Sequence, residues 1–272
     1  MEVNASSPIV PFRETIVLPP ETDMVNEQLN DDNRVVTSAE EKKLKSGVVV
    51  ELQTADKRCT LKLRALPLPT AVTKLLEENF DLFRALEKET TDSMASATAE
   101  RAEEVRLELT SALKDDPFLR EMVDQIWSFG PKKCGPNVLI NNLPRFCEHH
   151  SVWPSRSASR KTEKAPHQFE YESSVVNGFQ LATAAGPLCD EPLMGVAFIL
   201  DECGLTSEES EEDSGVGGIG TFGPLSGQIV SAMKEGCKRA FQANPQRLMA
   251  AMYTCNIQVD EYCNLFDYLI NY

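Results

Sequence analysis

Trp127-Ser128-Phe129-Gly130-Pro131-Lys132-Lys133-Cys134-Gly135-Pro136-Asn137-Val138-Leu139-Ile140-Asn141 decides how the chain is divided. Two Gly-Pro pairs stand in a row, with two lysines and a cysteine between them. Proline fixes its own φ, lacks an N–H and pushes the preceding residue out of the α region. No helix can run through this stretch. It predicts a hard stop after a helix, then a rigid turn, then an extended apolar run.

Upstream, helical spacing dominates. Pro117 opens a short helix through Met122, Ile126 and Trp127, which Gly130-Pro131 should end. Ala102, Val105, Leu109, Ala112 and Leu113 mark a helix on the 3.6 period. Val72, Leu75, Leu76, Phe80, Phe83 and Leu86 mark another, with Thr70 as its N-cap and a break over 90–97. Before these helices, Thr60-Leu61-Lys62-Leu63-Arg64-Ala65-Leu66 alternates apolar and basic residues, as a strand with one buried face does. Val48-Val49-Val50-Glu51-Leu52 is β-branched and pairs with it as a hairpin, with Lys57 and Arg58 at the tip. Residues 9–18 read as a first extended strand, in which Pro11 marks a start or an edge. Residues 19–46 are polar and mixed in charge. They predict an exposed insertion, with a short helical piece near 38–45.

Downstream, residues 142–172 hold few aliphatics and a basic, serine-rich run, and predict a disordered insertion. Ser173 and Ser174 can cap the next helix, whose apolar face is Val175, Phe179, Ala182 and Ala185 and which Gly186-Pro187 ends. Leu193 to Leu200 is a nearly continuous apolar strand suited to a sheet interior. Asp201 and Glu202 open an acidic loop, and 203–221 reads as a third disordered insertion. Leu225, Ile229, Met233, Cys237, Ala240 and Phe241 define a strong helix ended by Asn244-Pro245. Leu248 to Val259 reads as a last strand, followed by a divergent aromatic and apolar tail. The order predicts an α+β architecture rather than a doubly wound sheet.

The chain has 272 residues and a formal net charge of −15. A free-standing nucleic-acid-binding domain is normally basic, so that balance counts against one but leaves room for a local basic tip. The N-terminus shows no signal peptide, and no apolar run has the length of a membrane span. The eight cysteines are therefore expected to be reduced, in a cytoplasmic or nuclear protein.

The motifs are weak as chemistry. Gly215-Val216-Gly217-Gly218-Ile219-Gly220 matches the dinucleotide fingerprint literally, but an acidic run rather than a strand precedes it. Cys147-Glu148-His149-His150 lacks a second pair at ligand spacing. No G-x-S-x-G elbow occurs. The residues predict no catalytic, cofactor-binding or metal site. Lys132 and Lys133 in the double turn, and Lys57 and Arg58 at the hairpin tip, are small basic displays. They are ordinary solubilising lysines in one reading and contacts to a phosphate backbone in the other.

Several stretches then resemble, in order, the translocase GTPase family of elongation factor 2 and elongation factor G. Pro8-Ile9-Val10-Pro11-Phe12-Arg13-Glu14-Thr15 is similar to the opening of the family's fourth domain. Ile126-Trp127-Ser128-Phe129-Gly130-Pro131, Gly135-Pro136-Asn137, Gly178-Phe179-Gln180 and Gly186-Pro187-Leu188-Cys189-Asp190-Glu191 continue the match. Gly227-Gln228-Ile229 and Pro245-Gln246-Arg247-Leu248-Met249 carry it to the start of the fifth domain. Within the family, Pro187 to Val196 and Gln246 to Cys255 resemble the elongation factor-like GTPases of large-ribosomal-subunit assembly.

That resemblance implies a ribosomal-protein-S5-domain-2-like domain with long insertions over 1–245, then an incomplete ferredoxin-like domain over 246–272. It implies a ribosome-contacting fragment whose family promotes release of the anti-association initiation factor, with the Shwachman–Bodian–Diamond protein as a partner, in the cytoplasm. GTP and Mg belong to the full-length family; this chain shows no P-loop and no guanine-reading motif, so it is expected to bind neither. The rRNA-facing tip would comprise Lys57, Arg58, Ser226, Gly227 and Gln228, with Lys132 and Lys133 as further candidates. Elongation factor 2 carries a modified histidine in the tip loop before its Gly-Gly-Gln, whereas no histidine lies between 168 and 272 here, which disfavours a translating translocase. A piece of such a translocase and a non-functional truncated product are the alternatives.

Overall fold

The computed structural model describes residues 11–18, 47–88, 96–143, 151–153, 171–205 and 223–252. Its centre is a strand whose two faces do different things. In β3 (Cys59–Pro67), Cys59, Leu61, Leu63 and Ala65 point into one apolar core, while Leu66 points into a second. The basic residues between them lie on the other face and pair across the sheet, Lys62 half-exposed and Arg64 mostly buried over the Phe118 ring. Lys62 Nζ lies 2.7 Å from Glu202, and Arg64 Nη2 lies 2.9 Å from Asp201. β2 (Val50–Gln53) pairs antiparallel with β3 and forms the expected hairpin.

β6 (Val196–Leu205) lies on the other side of β3, antiparallel to it. Val196, Phe198 and Leu200 enter the first core, and Ala197 and Ile199 enter the second. Burial on both faces explains the unbroken apolar run. β5 (Asn137–Asn141) runs parallel to β6, and β4 (Ile126–Gly130) closes the sheet antiparallel to β5. The order of the five-stranded sheet is β2-β3-β6-β5-β4.

Helices cover both faces. α1 (Thr70–Glu78), α2 (Phe80–Lys88), α3 (Ser96–Ala112) and α4 (Pro117–Glu121) enclose the second core. α5 (Glu172–Ala184) and α6 (Leu225–Gln242) enclose the first. Gly178 lets these two approach closely: a Cβ there would stand 2.6 Å from Met233 Cβ and 2.7 Å from the Val230 carbonyl. β1 (Phe12–Ile16) and β7 (Gln246–Ala250) form a separate antiparallel pair, fixed to the body through Ile16 and through Glu14. The mixed helix-and-sheet composition agrees with the α+β expectation.

Several expectations are corrected. The Gly-Pro segment does not stop a helix. After α4 comes a short 3₁₀ turn over Val123–Gln125, and Ile126 to Gly130 is already strand. The double turn therefore links two antiparallel strands, and the Gly130–Pro131 peptide is cis. The spacing from Val72 to Leu86 belongs to two helices, broken at Asn79, whose side-chain amide donates to the Leu75 carbonyl at 2.9 Å. Ser173 and Ser174 do not cap α5; Tyr171 precedes it without a side-chain bond, and Ser174 is buried within it. Asp201 and Glu202 lie in β6 rather than a loop, as do residues 203–205 of the expected third insertion.

The expected insertion over 142–172 holds an anchor. Trp153 is fully buried, donates from Nε1 to the Val123 carbonyl at 2.8 Å, and meets Phe129 edge-on. The last strand, expected from Leu248, already begins at Gln246 and pairs with β1 up to Ala250, so one edge of β7 is covered; the part of that expectation over 253–259 lies outside the described residues. The insertion over 19–46, the glycine run 215–220, Cys147 to His150 and the tail beyond 252 lie outside the described residues.

Candidate functional site

The β2–β3 turn is built from the inside by Thr54 and Asp56. Thr54 closes it, with its N–H donating to the Cys59 carbonyl at 2.9 Å and its carbonyl accepting from Lys57 N–H at 2.9 Å. Its hydroxyl donates to Asp56 Oδ1 at 2.6 Å, and the same oxygen accepts from Arg58 N–H at 3.1 Å. An aspartate that bonds the backbone two residues on is a known way of tightening a turn. The turn forces Lys57 to φ 60°, the left-handed region, and leaves its side chain exposed.

A second piece of chain meets this turn from 172 residues away. Gln228, in the first turns of α6, accepts from Asp56 N–H through Oε1 at 3.1 Å and donates from Nε2 to Asp56 Oδ2 at 3.1 Å. The same Nε2 donates to the Gly223 carbonyl at 3.1 Å. Partial burial works to raise the Asp56 pKa. The bonds from Thr54, the Arg58 backbone and Gln228, together with the Arg58 charge, outweigh it and hold the carboxyl below its ordinary value.

The structure thus places Lys57 and Arg58 beside Ser226, Gly227 and Gln228. The roles differ. Ser226 and Gly227 are exposed at the start of α6, whereas Gln228 is buried and its amide is occupied. Gln228 therefore joins the two segments through its amide.

Lys132 and Lys133 are not part of this pole. Cys59 pairs with Leu205 at the far end of β6, while Val138 of β5 pairs with Ala197 at its start. The hairpin tip and the Gly-Pro turn therefore occupy opposite ends of the sheet, about 30 Å apart at roughly 3.3 Å per strand residue. Lys133 is also engaged: its Nζ pairs with Glu87 and its N–H donates to Gln180 Oε1 at 2.9 Å.

Around that second pole, the recognisable motif residues hold strands together. Asn137 Nδ2 donates to the carbonyls of Gly130 and Leu193 at 2.9 and 2.7 Å, and its Oδ1 accepts from Val196 N–H at 3.0 Å. Gln180 Nε2 donates to the Phe129 carbonyl at 2.7 Å and to Ser128 Oγ at 3.0 Å. The Glu14 carboxylate accepts from the N–H groups of Leu188, Cys189 and Glu191 at 2.9, 2.8 and 3.1 Å. Sequence reasoning missed these roles, because each joins residues far apart in the chain.

The remaining chemistry is modest. Cys59, Cys134 and Cys237 are free and buried. A hydrogen bond with Cys203, followed by burial, pushes the Cys59 thiol far up, and burial raises those of Cys134 and Cys237, so all three stay protonated. Among the described residues no group of His, Cys, Asp or Glu could hold a metal ion, and no helix is long and apolar enough to cross a membrane. A cleft of about 600 Å³ between β1, β7 and the start of α1 is mostly apolar, with Asp116 and Arg247 as its charged groups.

Comparison with known proteins agrees with the resemblance. Residues 64–142, which run from β3 through α1–α4 to β5, match the elongation factor-like GTPase 1-like domain. Elongation factor-like GTPase 1 of Mus musculus is 38% identical over 320 aligned positions, covering 94% of this chain and 28% of the mouse protein. The Homo sapiens protein of the same name is 37% identical with the same coverage. Ribosome assembly protein 1 of Schizosaccharomyces pombe is 28% identical, covering 95% of this chain and 25% of the yeast protein. Along 94% of its own length, then, the chain is a relative of the elongation factor-like GTPases and spans 28% of the length of the mammalian ones.

Proposed function

We propose that this chain is the ribosome-contacting segment of an elongation factor-like GTPase acting in cytoplasmic maturation of the large ribosomal subunit. The observation that carries this reading is the convergence of the β2–β3 turn and the start of α6 at one pole. There Lys57 is exposed, Arg58 half-buried, and Ser226 and Gly227 open to solvent. The N-terminal end of a helix adds partial positive charge, so all four offer something to a phosphate backbone. The similarity to a ribosome assembly protein supports the ribosome as the source of that RNA. The acidic remainder of the chain repels bulk nucleic acid and leaves the tip as the attractive place.

Release of the anti-association initiation factor, and action beside the Shwachman–Bodian–Diamond protein, belong to the same proposal as properties of the whole protein. GTP and magnesium would serve that protein through residues other than these.

Co-sedimentation of the chain with immature large subunits at low salt tests the reading. Pelleting with the subunits is expected, together with loss of most of the signal in the Lys57→Ala/Arg58→Ala double variant. A chain that stays in the supernatant at low salt, where electrostatic attraction is strongest, overturns it.

A further inference from the structure

The tip is made of two segments that are distant in sequence, and a pair of side chains joins them. Gln228 is buried, so it does not meet a partner. Asp56 is acidic, and a carboxylate repels phosphate. Neither is suited to RNA contact, yet both stand at the centre of the pole. Their bonds are reciprocal: Asp56 N–H to Gln228 Oε1 and Gln228 Nε2 to Asp56 Oδ2, both at 3.1 Å. Each end is itself fixed. Asp56 Oδ1 is held by Thr54 and Arg58 N–H, and Gln228 Nε2 also binds the Gly223 carbonyl that leads into α6.

We propose that Asp56 and Gln228 are positioning residues that clamp the β2–β3 turn to the start of α6, so that Lys57, Arg58 and Ser226 meet an RNA phosphate backbone as one rigid surface. This deepens the functional reading above and rests on it. The physical gain is preorganisation. A free hairpin tip would have to be ordered on binding, and that ordering subtracts from affinity. The clamp also orients Arg58, because the Asp56 oxygen that accepts its N–H belongs to the carboxylate bound by Gln228.

The test uses the full chain with immature large subunits, in parallel with amide hydrogen exchange. Four variants are compared: Gln228→Ala, Asp56→Asn, their combination, and Lys57→Ala/Arg58→Ala. Gln228→Ala is expected to weaken binding roughly two- to tenfold, the range for one lost hydrogen-bonding partner. Exchange at the Asp56 and Arg58 amides should accelerate, while exchange in the central strands stays as in the parent chain. Adding Asp56→Asn should cost nothing further, because the clamp is already open.

Normal binding by Gln228→Ala while Lys57→Ala/Arg58→Ala binds poorly overturns the clamp and spares the functional reading. Weaker binding with unchanged exchange at Asp56 also overturns it, since Gln228 would then act as a contact. Faster exchange throughout the sheet overturns it too, as that marks general loosening. Normal binding by Lys57→Ala/Arg58→Ala overturns the functional reading itself.

Discussion

Glu14 shows what one residue contributes. It is fully buried, and three backbone N–H groups of the 186–193 loop converge on its carboxylate. Gly186 makes room for it: a Cβ there would come within 2.2 Å of Glu14 Oε2. Gly186→Ala should therefore displace the carboxylate and leave several buried N–H groups unpaired, at a cost of about 2–4 kcal/mol. A denaturant midpoint equal to the parent's would contradict this. Asp56 gives a pH signature at the other pole. Its folded pKa lies below its unfolded one, so its contribution is complete above the unfolded value and is lost as pH falls through the folded one. The thermal advantage of the parent chain over Asp56→Asn should hold constant from about pH 5 to 8 and shrink below about pH 4. A difference that grows on acidification would refute the assignment.

Among the elements, the short piece over 151–153 carries more weight than its length suggests. Val152 N–H donates to the Ile126 carbonyl at 2.9 Å, and Trp153 fills the second core against Phe129, which stacks on Phe83 with centroids 4.0 Å apart. Trp153→Ala should cost about 3–5 kcal/mol, the usual range for emptying a large aromatic site. Calorimetric melting of the variant beside the parent measures it; a loss under about 1 kcal/mol, as for a surface residue, would show that the site is not part of the core. β7 differs from the central strands. It pairs with β1 yet leaves Leu248 and Met249 exposed, at 46% and 39%, with Met252 just beyond it 92% exposed.

The whole molecule is polar in arrangement. One end of the sheet carries the clamped basic tip, and the other carries the Gly-Pro turn with its interlocked motif residues. Only the first should respond to RNA. Removing Lys57 and Arg58 should lower the slope of log affinity against log salt by roughly one to two, about one per phosphate contact. Lys132→Ala, at the opposite end, should leave the slope unchanged. Equal effects at both ends, read from binding isotherms across a salt series, would contradict the division into poles.

Much of this was legible in the residues, for reasons that are local. Alternation placed β3 and its hairpin tip, and 3.6 spacing placed α3, α5 and α6, because each pattern records which side of one element is buried. The double turn after Gly130 was legible too, since proline forbids helix regardless of context. What preceded it was not: Ile126 to Gly130 continues a helical apolar rhythm, and its pairing with β5 makes it strand. Trp153 looked like part of a loose insertion, because its partners Phe129 and Val123 are not its neighbours in sequence. The candidate site divides in the same way. Its residues could be picked from turn chemistry and resemblance. Only the tertiary structure decided that the turn of Lys57 and Arg58 joins α6, that Gln228 is buried and bonded to Asp56, and that Lys132 and Lys133 lie at the other end of the sheet. Those facts depend on strand register and on hydrogen bonds between residues 172 apart, which no single stretch of chain contains.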